Sequence, residues 1–337
     1  MLYVVIVFLC LSILLYLLLG GADFGAGIVE LITPVKLREK MRGITYQTIG
    51  PIWEANHMWL IITIVILFVG FPSIYTMLSV HLHIPLLLML LGIIGRGTAF
   101  IFRHYDAVKD DMQRIYNIIF TYSSFITPLF LGVIAGAMVG GKIDTEAVTF
   151  FEGYIRPWFN YFSFSVGLFT VAICGFLAAV YLTGEAEEKE IKGVFTRQAK
   201  LLNVATVIAG GIVFIAAEIE GIQLMRELVT NPVTLVILLL ATASLVLLWH
   251  FLGQNKKVHT RLIAGFQVSM ILFALGFHYF PDFIIVQGGN NISLYSAAAL
   301  GKPIETLGWA LLIGGVFIIP SLVYLIYSFQ RERPEST

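Results

Sequence analysis

Residues 2–21 have the sequence LYVVIVFLCLSILLYLLLGG, and this stretch decides the class of fold. It contains no charged side chain, and about twenty apolar residues are what an α-helix needs to cross the hydrocarbon core of a bilayer. Inside lipid every backbone N–H and C=O group must find a partner within the segment, and a helix provides these partners. The stretch therefore predicts a transmembrane helix.

The composition of the whole chain agrees with a membrane protein. Of its 337 residues 58% are hydrophobic and 12% are charged, which is too few charges to cover the surface of a soluble domain of this size. The mean hydropathy is +0.89. Lysine plus arginine equals aspartate plus glutamate at 21 each, so the net charge gives no argument for a nucleic-acid partner.

Further long apolar runs predict an all-α fold, a polytopic membrane helix bundle of about nine transmembrane helices. We expect two four-helix groups, in residues 1–141 and 142–282, and a peripheral ninth helix within residues 283–337. The strands of a membrane β-barrel would appear as short segments of alternating hydrophobicity, and the sequence has none. The predicted spans are 2–22, 52–71, 75–101, 114–140, 157–182, 199–219, 232–252, 261–280 and 308–329.

The distribution of lysine and arginine among the loops predicts the orientation of the chain. Alternate loops collect sixteen of these residues on one side and four on the other, Lys142, Arg156, Arg226 and Lys302. The sixteen lie in the segments 36–42, 103–114, 189–200, 256–261 and 331–333. Because basic loops stay on the cytoplasmic side, the N-terminus is expected outside and the C-terminus inside.

Asp23 is the first charged residue, and it follows the first apolar run in the segment GGADFGAG at residues 20–27. An acid within a membrane span is costly and is a candidate functional residue. The four glycines would weaken the helix and let another backbone approach closely. An alternative is that helix one frays here and that Asp23 is hydrated at the inner interface.

The second apolar run begins with GPIWEANHMW at residues 50–59. Glu54 and His57 lie three residues apart, so they share a helix face on which a carboxylate and an imidazole could relay protons. Trp53 and Asn56 form a neighbouring pair with the same spacing. An interfacial glutamate at a helix N-terminus, with a tryptophan anchoring it at the headgroup level, is the alternative explanation.

Arg96 and Arg103 lie near the inner end of the third predicted span, seven residues apart and so on one helix face. Helix one descends to Asp23 and helix two rises from Glu54, so these acids and arginines are expected at one depth. They predict a linked polar cluster, in which Asn56 also takes part. Arginines that reach back to the interface are the alternative, which suits Arg103 better than Arg96.

Three segments carry a family resemblance: DFGAG at 23–27, GPIWEANHMWLI at 50–61 and RGTAFIFR at 96–103. With them the chain resembles subunit II of cytochrome bd-type quinol oxidases along its whole length. The resemblance implies a multi-pass protein of a bacterial or archaeal cytoplasmic membrane that works in a complex oxidising quinol and reducing oxygen to water. It also implies a heterodimer with subunit I, which holds haem b and haem d mainly or wholly, and accessory single-helix subunits are compatible with it.

The same resemblance implies roles for individual residues. Glu54, with Asp23 and His57 nearby, matches the part of the family that carries a proton route from the cytoplasm. Trp59 matches a tryptophan near a proposed oxygen-access route, and Trp53 belongs to the same motif. The chain departs from the family pattern where Gly20 and Gly21 replace a first acidic residue, where Glu54 replaces an aspartate, and where His57 stands in place of Glu or Gln.

Two other functions fit parts of the pattern. An ion-coupled secondary transporter also uses glycine-rich, broken helices and intramembrane acids, but it predicts a site at the middle of the membrane. A structural scaffold with hydrated acids at its helix ends is the other. Cys10 and Cys174 lie inside apolar runs, so we predict no metal site and no disulfide bond.

Overall fold

The computed structural model of the chain describes residues 1–105, 111–254 and 256–331. Nine helices in these ranges are long and apolar enough to cross a membrane, which confirms the predicted all-α bundle. Lys109 and Arg333, two of the basic residues used to predict the orientation, lie outside the described residues. The nine spans are Leu2–Ile32, Trp53–Gly70, His83–His104, Met112–Val139, Tyr161–Glu185, Lys189–Ile219, Pro232–Gly253, Lys257–Tyr279 and Lys302–Leu325.

The helices and strands of the described ranges are as follows in chain order. They are α1 Leu2–Leu15, a π-helical segment Tyr16–Gly20, α2 Gly21–Ile32, α3 Val35–Ile49, α4 Trp53–Gly70, α5 Pro72–His81, α6 His83–Tyr105, α7 Asp111–Val139, α8 Phe150–Tyr154, α9 Tyr161–Glu185, α10 Lys189–Ile219, α11 Leu224–Thr230, α12 Pro232–Gly253, α13 Lys257–Tyr279, β1 Asp282–Ile284, β2 Ile292–Ser293 and α14 Lys302–Arg331.

The first span is longer than the sequence pattern predicts. The helix does not end at Asp23 but continues through the π-helical segment and α2 to Ile32. Gly21, Gly25 and Gly27 keep helical geometry because they lie at close contacts with neighbouring helices, where packing outweighs their low helix propensity. Asp23 therefore lies nine residues, roughly 14 Å, before the end of the helix.

Three other boundaries also differ from the prediction. The predicted span 75–101 is divided into α5 and α6, with Leu82 between them, and Pro72 occupies the first turn of α5. Helix α10 begins at Lys189 rather than 199, because its first three turns form a charged extension of the apolar span. Helix α14 begins at Lys302 rather than 308. Hydropathy detects only the part of a helix that lies in lipid, so it does not predict the charged first turns of these helices.

The core is centred on α9. In the most apolar stretch of this helix 78% of the residues are buried. Helices α2, α7 and α10 pack against it. A second core joins α1, α4, α5, α6 and α7 to residues of the loop before α14, where β1 pairs antiparallel with β2. At the other end of the bundle, Lys40 of α3 forms an ion pair of 2.9 Å with Glu188 beside the start of α10.

Candidate functional site

Asp23 of α2 and Arg96 of α6 form a buried ion pair. Arg96 Nη1 donates to Asp23 Oδ2 at 2.6 Å, and Nη2 donates to Oδ1 at 2.5 Å. Nη2 also donates to the backbone oxygen of Asp23, and Nε donates to Ser124 Oγ at 3.2 Å. The residues are 1% and 2% exposed. This two-pronged geometry is the strongest that arginine makes with a carboxylate, so the pair holds the two helices in register.

A second ion pair repeats the first along the same helices. Arg103 Nη1 donates to Glu30 Oε2 at 3.0 Å, and Arg42 Nε of α3 donates to Glu30 Oε1 at 2.6 Å. Asp23 and Glu30 are seven residues apart, as are Arg96 and Arg103, so both pairs join residues 73 positions apart. Because the later residue of α2 pairs with the later residue of α6 at the same spacing, these two helices run in the same direction. We name Asp23, Glu30, Arg96 and Arg103 the acid–arginine ladder.

Aromatic rings fill the space around the ladder. The guanidinium of Arg96 lies 5.3 Å from the ring centres of both Phe24 and Phe120, and that of Arg103 lies 4.2 Å from Phe120. Arg103 Nε and Nη2 are buried without a hydrogen-bond partner among the described residues. The ring face of Phe120 offers them a cation–π contact, which is stronger away from water.

The glycines of the segment 20–27 explain how α2 fits into the bundle. A Cβ atom at Gly25 would collide with the backbone oxygen of Cys174 on α9, and one at Gly27 would collide with Ser124 on α7. Gly21 similarly faces Cys174 Sγ. The predicted close approach of another backbone is confirmed. Because α2 packs between α7 and α9 at this distance, Asp23 is shielded from both lipid and water.

His57 of α4 lies against the ion pair of Asp23 and Arg96, which is the first rung of the ladder; the pair of Glu30 and Arg103 is the second. Its Nε2 is 3.7 Å from Asp23 Oδ2, and its ring contacts those of Tyr16, Phe24 and Trp53 at centre distances of 5.6–6.2 Å. His57 Nδ1 and Tyr16 Oη are both buried without a hydrogen-bond partner in the described residues. A titratable ring with a free nitrogen beside a fixed carboxylate is an arrangement that can accept and release a proton.

The other residues predicted on α4 differ in how far they are exposed. Glu54 is exposed, and it makes no ion pair or hydrogen bond with any residue that the structure describes. Trp53 is half-buried and its ring also contacts Phe100, whereas Asn56 is 5% exposed. Trp59 is 3% exposed in an apolar cluster with Tyr16 and Phe24.

The predicted polar cluster is thus correct in its arginines and in Asp23 but wrong in its second acid. Glu54 does not join it; Glu30, which the sequence analysis missed, takes that place together with Arg42. The hydrated helix end considered for Asp23 is also wrong, because its side chain is buried and paired. The signal for Glu30 was present in the sequence, since its spacing from Asp23 equals the spacing of the two arginines.

The surroundings of His57 do not suit a haem ligand. This histidine is enclosed by three aromatic rings, and its Nε2 is directed at Asp23. Two cavities in the described ranges, of about 670 and 470 Å³, have no histidine in their walls. No group of three or more His, Cys, Asp or Glu side chains that could hold a metal ion occurs among the described residues.

Comparisons with known proteins point to one family. The family model described as cytochrome bd terminal oxidase subunit II matches residues 1–329. Subunit 2 of a cytochrome bd ubiquinol oxidase from Bacillus subtilis strain 168 is 23% identical over 94% of this chain and 92% of its own length. Subunit 2 of the cytochrome bd-I ubiquinol oxidase from Escherichia coli K12 is 24% identical over 48% of this chain and 43% of its own.

A solved structure has the same fold. A chain of the bd oxidase from Geobacillus thermodenitrificans superposes with a TM-score of 0.78, at 18% identity, over 98% of this chain and all of that one. The described residues therefore have the fold of a chain of that bd oxidase. The comparisons give no support to a secondary transporter.

Proposed function

We infer that this chain, which belongs to the cytochrome bd terminal oxidase subunit II family, works as one subunit of a quinol oxidase and is not catalytic alone. The observation that carries this conclusion is the family match over residues 1–329. The complex is an oxidoreductase of aerobic respiration that oxidises quinol and reduces oxygen to water. It contains haem, and this chain is a multi-pass membrane protein within it.

Several finer assignments belong to the same proposal. We propose that haem b and haem d are held mainly on subunit I, as the resemblance to the family implies. The chain would pair with subunit I as a heterodimer in a bacterial or archaeal cytoplasmic membrane and cover the haem d region. Small single-helix subunits could bind the same complex. Trp59, in its buried apolar cluster, remains the candidate residue beside an oxygen-access route.

We propose a proton route that begins at Glu54 and continues to His57. Reduction of oxygen to water consumes protons, and Glu54 is exposed at the first turn of α4 where it can exchange protons with water. His57 lies one turn further into the span, and its Nδ1 is free. Transfer along one helix face between a carboxylate and an imidazole is ordinary acid–base chemistry.

Asp23 takes a stationary part in this route. It accepts two charge-assisted hydrogen bonds from Arg96, which fix its carboxylate beside His57. Its Oδ2 lies 3.7 Å from His57 Nε2, close enough to attract an imidazole that has taken up a proton. The ladder is therefore proposed to position the relay rather than to carry protons.

Isolation of the chain with its natural partners tests the function. We expect a second large membrane subunit, absorbance bands of haem b and haem d, and quinol-dependent oxygen uptake by the complex. The chain alone should show no oxygen uptake. A chain purified without any partner that transports a solute in vesicles would contradict the proposal and favour a transporter.

A further inference from the structure

A basic cleft lies where the first span ends, between α3 and the start of α7. Its volume is about 470 Å³, and its polar wall is formed by Arg38, Arg42 and Arg114 with Glu30 and Asn117. Three guanidinium groups face one carboxylate, which leaves two positive charges in excess. An excess of positive charge in a cleft favours an anionic ligand.

The three arginines differ in how far the protein itself occupies them. Arg38 donates from Nε to the backbone oxygen of Thr33 and from Nη2 to that of Leu31, and so caps the first span. Arg42 donates through Nε to Glu30. Arg114 is exposed and makes no hydrogen bond or ion pair with the described residues. The guanidinium of Arg114 is therefore available to a ligand, and those of Arg38 and Arg42 are held in place beside it.

The wall formed by α7 changes from polar to apolar along the helix. Arg114, Asn117, Ile118, Thr121 and Tyr122 line the cleft, and their spacing places them on one helix face. Ile118 and Tyr122 are 48% and 61% exposed, and Leu31 across the cleft is 37% exposed. The cleft thus continues from its arginines into an open apolar strip that runs towards the middle of the membrane.

We propose that this cleft binds the headgroup of an anionic phospholipid, with an acyl chain along Ile118 and Tyr122. A free anion would use the arginines but not the apolar strip, whereas a phospholipid uses both. Basic pockets at the ends of transmembrane helices are the sites at which anionic headgroups bind. The lipid would brace α3 against α7 and so support the second rung of the ladder through Arg42.

Binding to the purified complex of the chain and its partner subunits tests the proposal. The probes are dihexanoyl phosphatidylglycerol, dihexanoyl phosphatidylcholine and inorganic phosphate, titrated by calorimetry in a non-ionic detergent. The variant is Arg114→Gln, because Arg114 has no partner within the described chain to leave unpaired. The control is Arg197→Gln, which removes an exposed arginine near the start of α10 at the same end of the bundle.

We expect phosphatidylglycerol to bind the wild-type complex and the Arg197→Gln complex with the same affinity. Its affinity for the Arg114→Gln complex should be about tenfold lower, because one charge-assisted hydrogen bond is lost. Equal binding by Arg114→Gln and the wild type would overturn the proposal. So would equal affinity for phosphatidylcholine, or inorganic phosphate that competes at the same concentration as the lipid. A complex that binds no phosphatidylglycerol would mean that a partner subunit covers the cleft, and this too would overturn it.

Discussion

At the scale of single residues, the ion pair of Asp23 and Arg96 makes the clearest energetic prediction. Arg96→Leu leaves a carboxylate buried at 1% exposure without its partner, which costs about 3–5 kcal/mol of unfolding free energy. We expect a low yield of assembled complex and a lowered temperature of thermal unfolding. Fluorescence-detected gel filtration of the solubilised membranes measures both.

The double variant Asp23→Leu with Arg96→Leu separates lost pairing from lost packing. An apolar replacement of both partners removes the unpaired charge, so we expect it to restore most of the yield. Normal assembly of the single variant Arg96→Leu would contradict a structural role for the pair.

Glu54 gives a functional prediction because its side chain is exposed and unpaired within the described ranges. Glu54→Gln keeps the shape of the side chain and should leave assembly and haem content unchanged. Quinol-dependent oxygen uptake should fall by about 100-fold, since a positioned acid–base group has been removed. Glu39→Gln, at another exposed acid on α3, is the matched control and should retain full uptake.

His57 predicts a characteristic dependence on pH. Its ring is a titratable group 3.7 Å from Asp23 Oδ2, and a glutamine side chain has no such group. We expect His57→Gln to have lower oxygen uptake and a dependence on pH that differs from that of the wild-type complex, because the variant cannot take up or release a proton at this position. An unchanged pH profile in His57→Gln would remove the residue from the proton route.

The acid–arginine ladder shows what residue-level sequence reasoning could and could not reach. Arg96, Arg103 and Asp23 were predicted because charges in apolar runs are costly and need partners. Glu30 was missed because helix one was expected to end before it, which placed it in a loop. An error in a helix boundary thus became an error in the identity of the second acid.

At the scale of helices, the glycines of α2 matter for contact rather than for flexibility. The sequence predicted both a weakened helix and a close approach of another backbone, and the second effect prevails. In Gly25→Ala the new Cβ atom would meet the backbone oxygen of Cys174, which cannot move without shifting α9. We expect a loss of about 1–3 kcal/mol in unfolding free energy, measured as a lower unfolding temperature of the complex.

Gly43→Ala on α3 is the matched control for that substitution. A Cβ atom there meets no atom within 4 Å, and alanine is the better helix former. We expect this variant to be unchanged or more stable by about 0.5–1 kcal/mol. If Gly25→Ala were as stable as Gly43→Ala, the contact between α2 and α9 would not be as close as the structure has it.

At the scale of the whole molecule, hydropathy was sufficient to predict the number of spans because lipid imposes a length on each of them. It could not predict that α9 is the buried centre of the bundle, since buried and lipid-facing helices are both apolar. The heavier burial of α9 comes from small residues that admit neighbours closely, such as Gly167 against α7 and Gly175 against α2 and α10. The division into two four-helix halves remains a prediction.

The orientation of the chain also remains a prediction, and it decides what the proposed sites can do. Sixteen lysines and arginines against four place the C-terminus, the basic cleft and Glu54 on the cytoplasmic side, where protons for oxygen reduction would enter. Green fluorescent protein fused after Thr337 should fluoresce, and alkaline phosphatase at the same position should be inactive. The same reporters after Thr230, the last residue of α11, should give the opposite pair of results. Active phosphatase at the C-terminus would show that the chain has the opposite orientation in the membrane, and Glu54 would then take protons from the outer side.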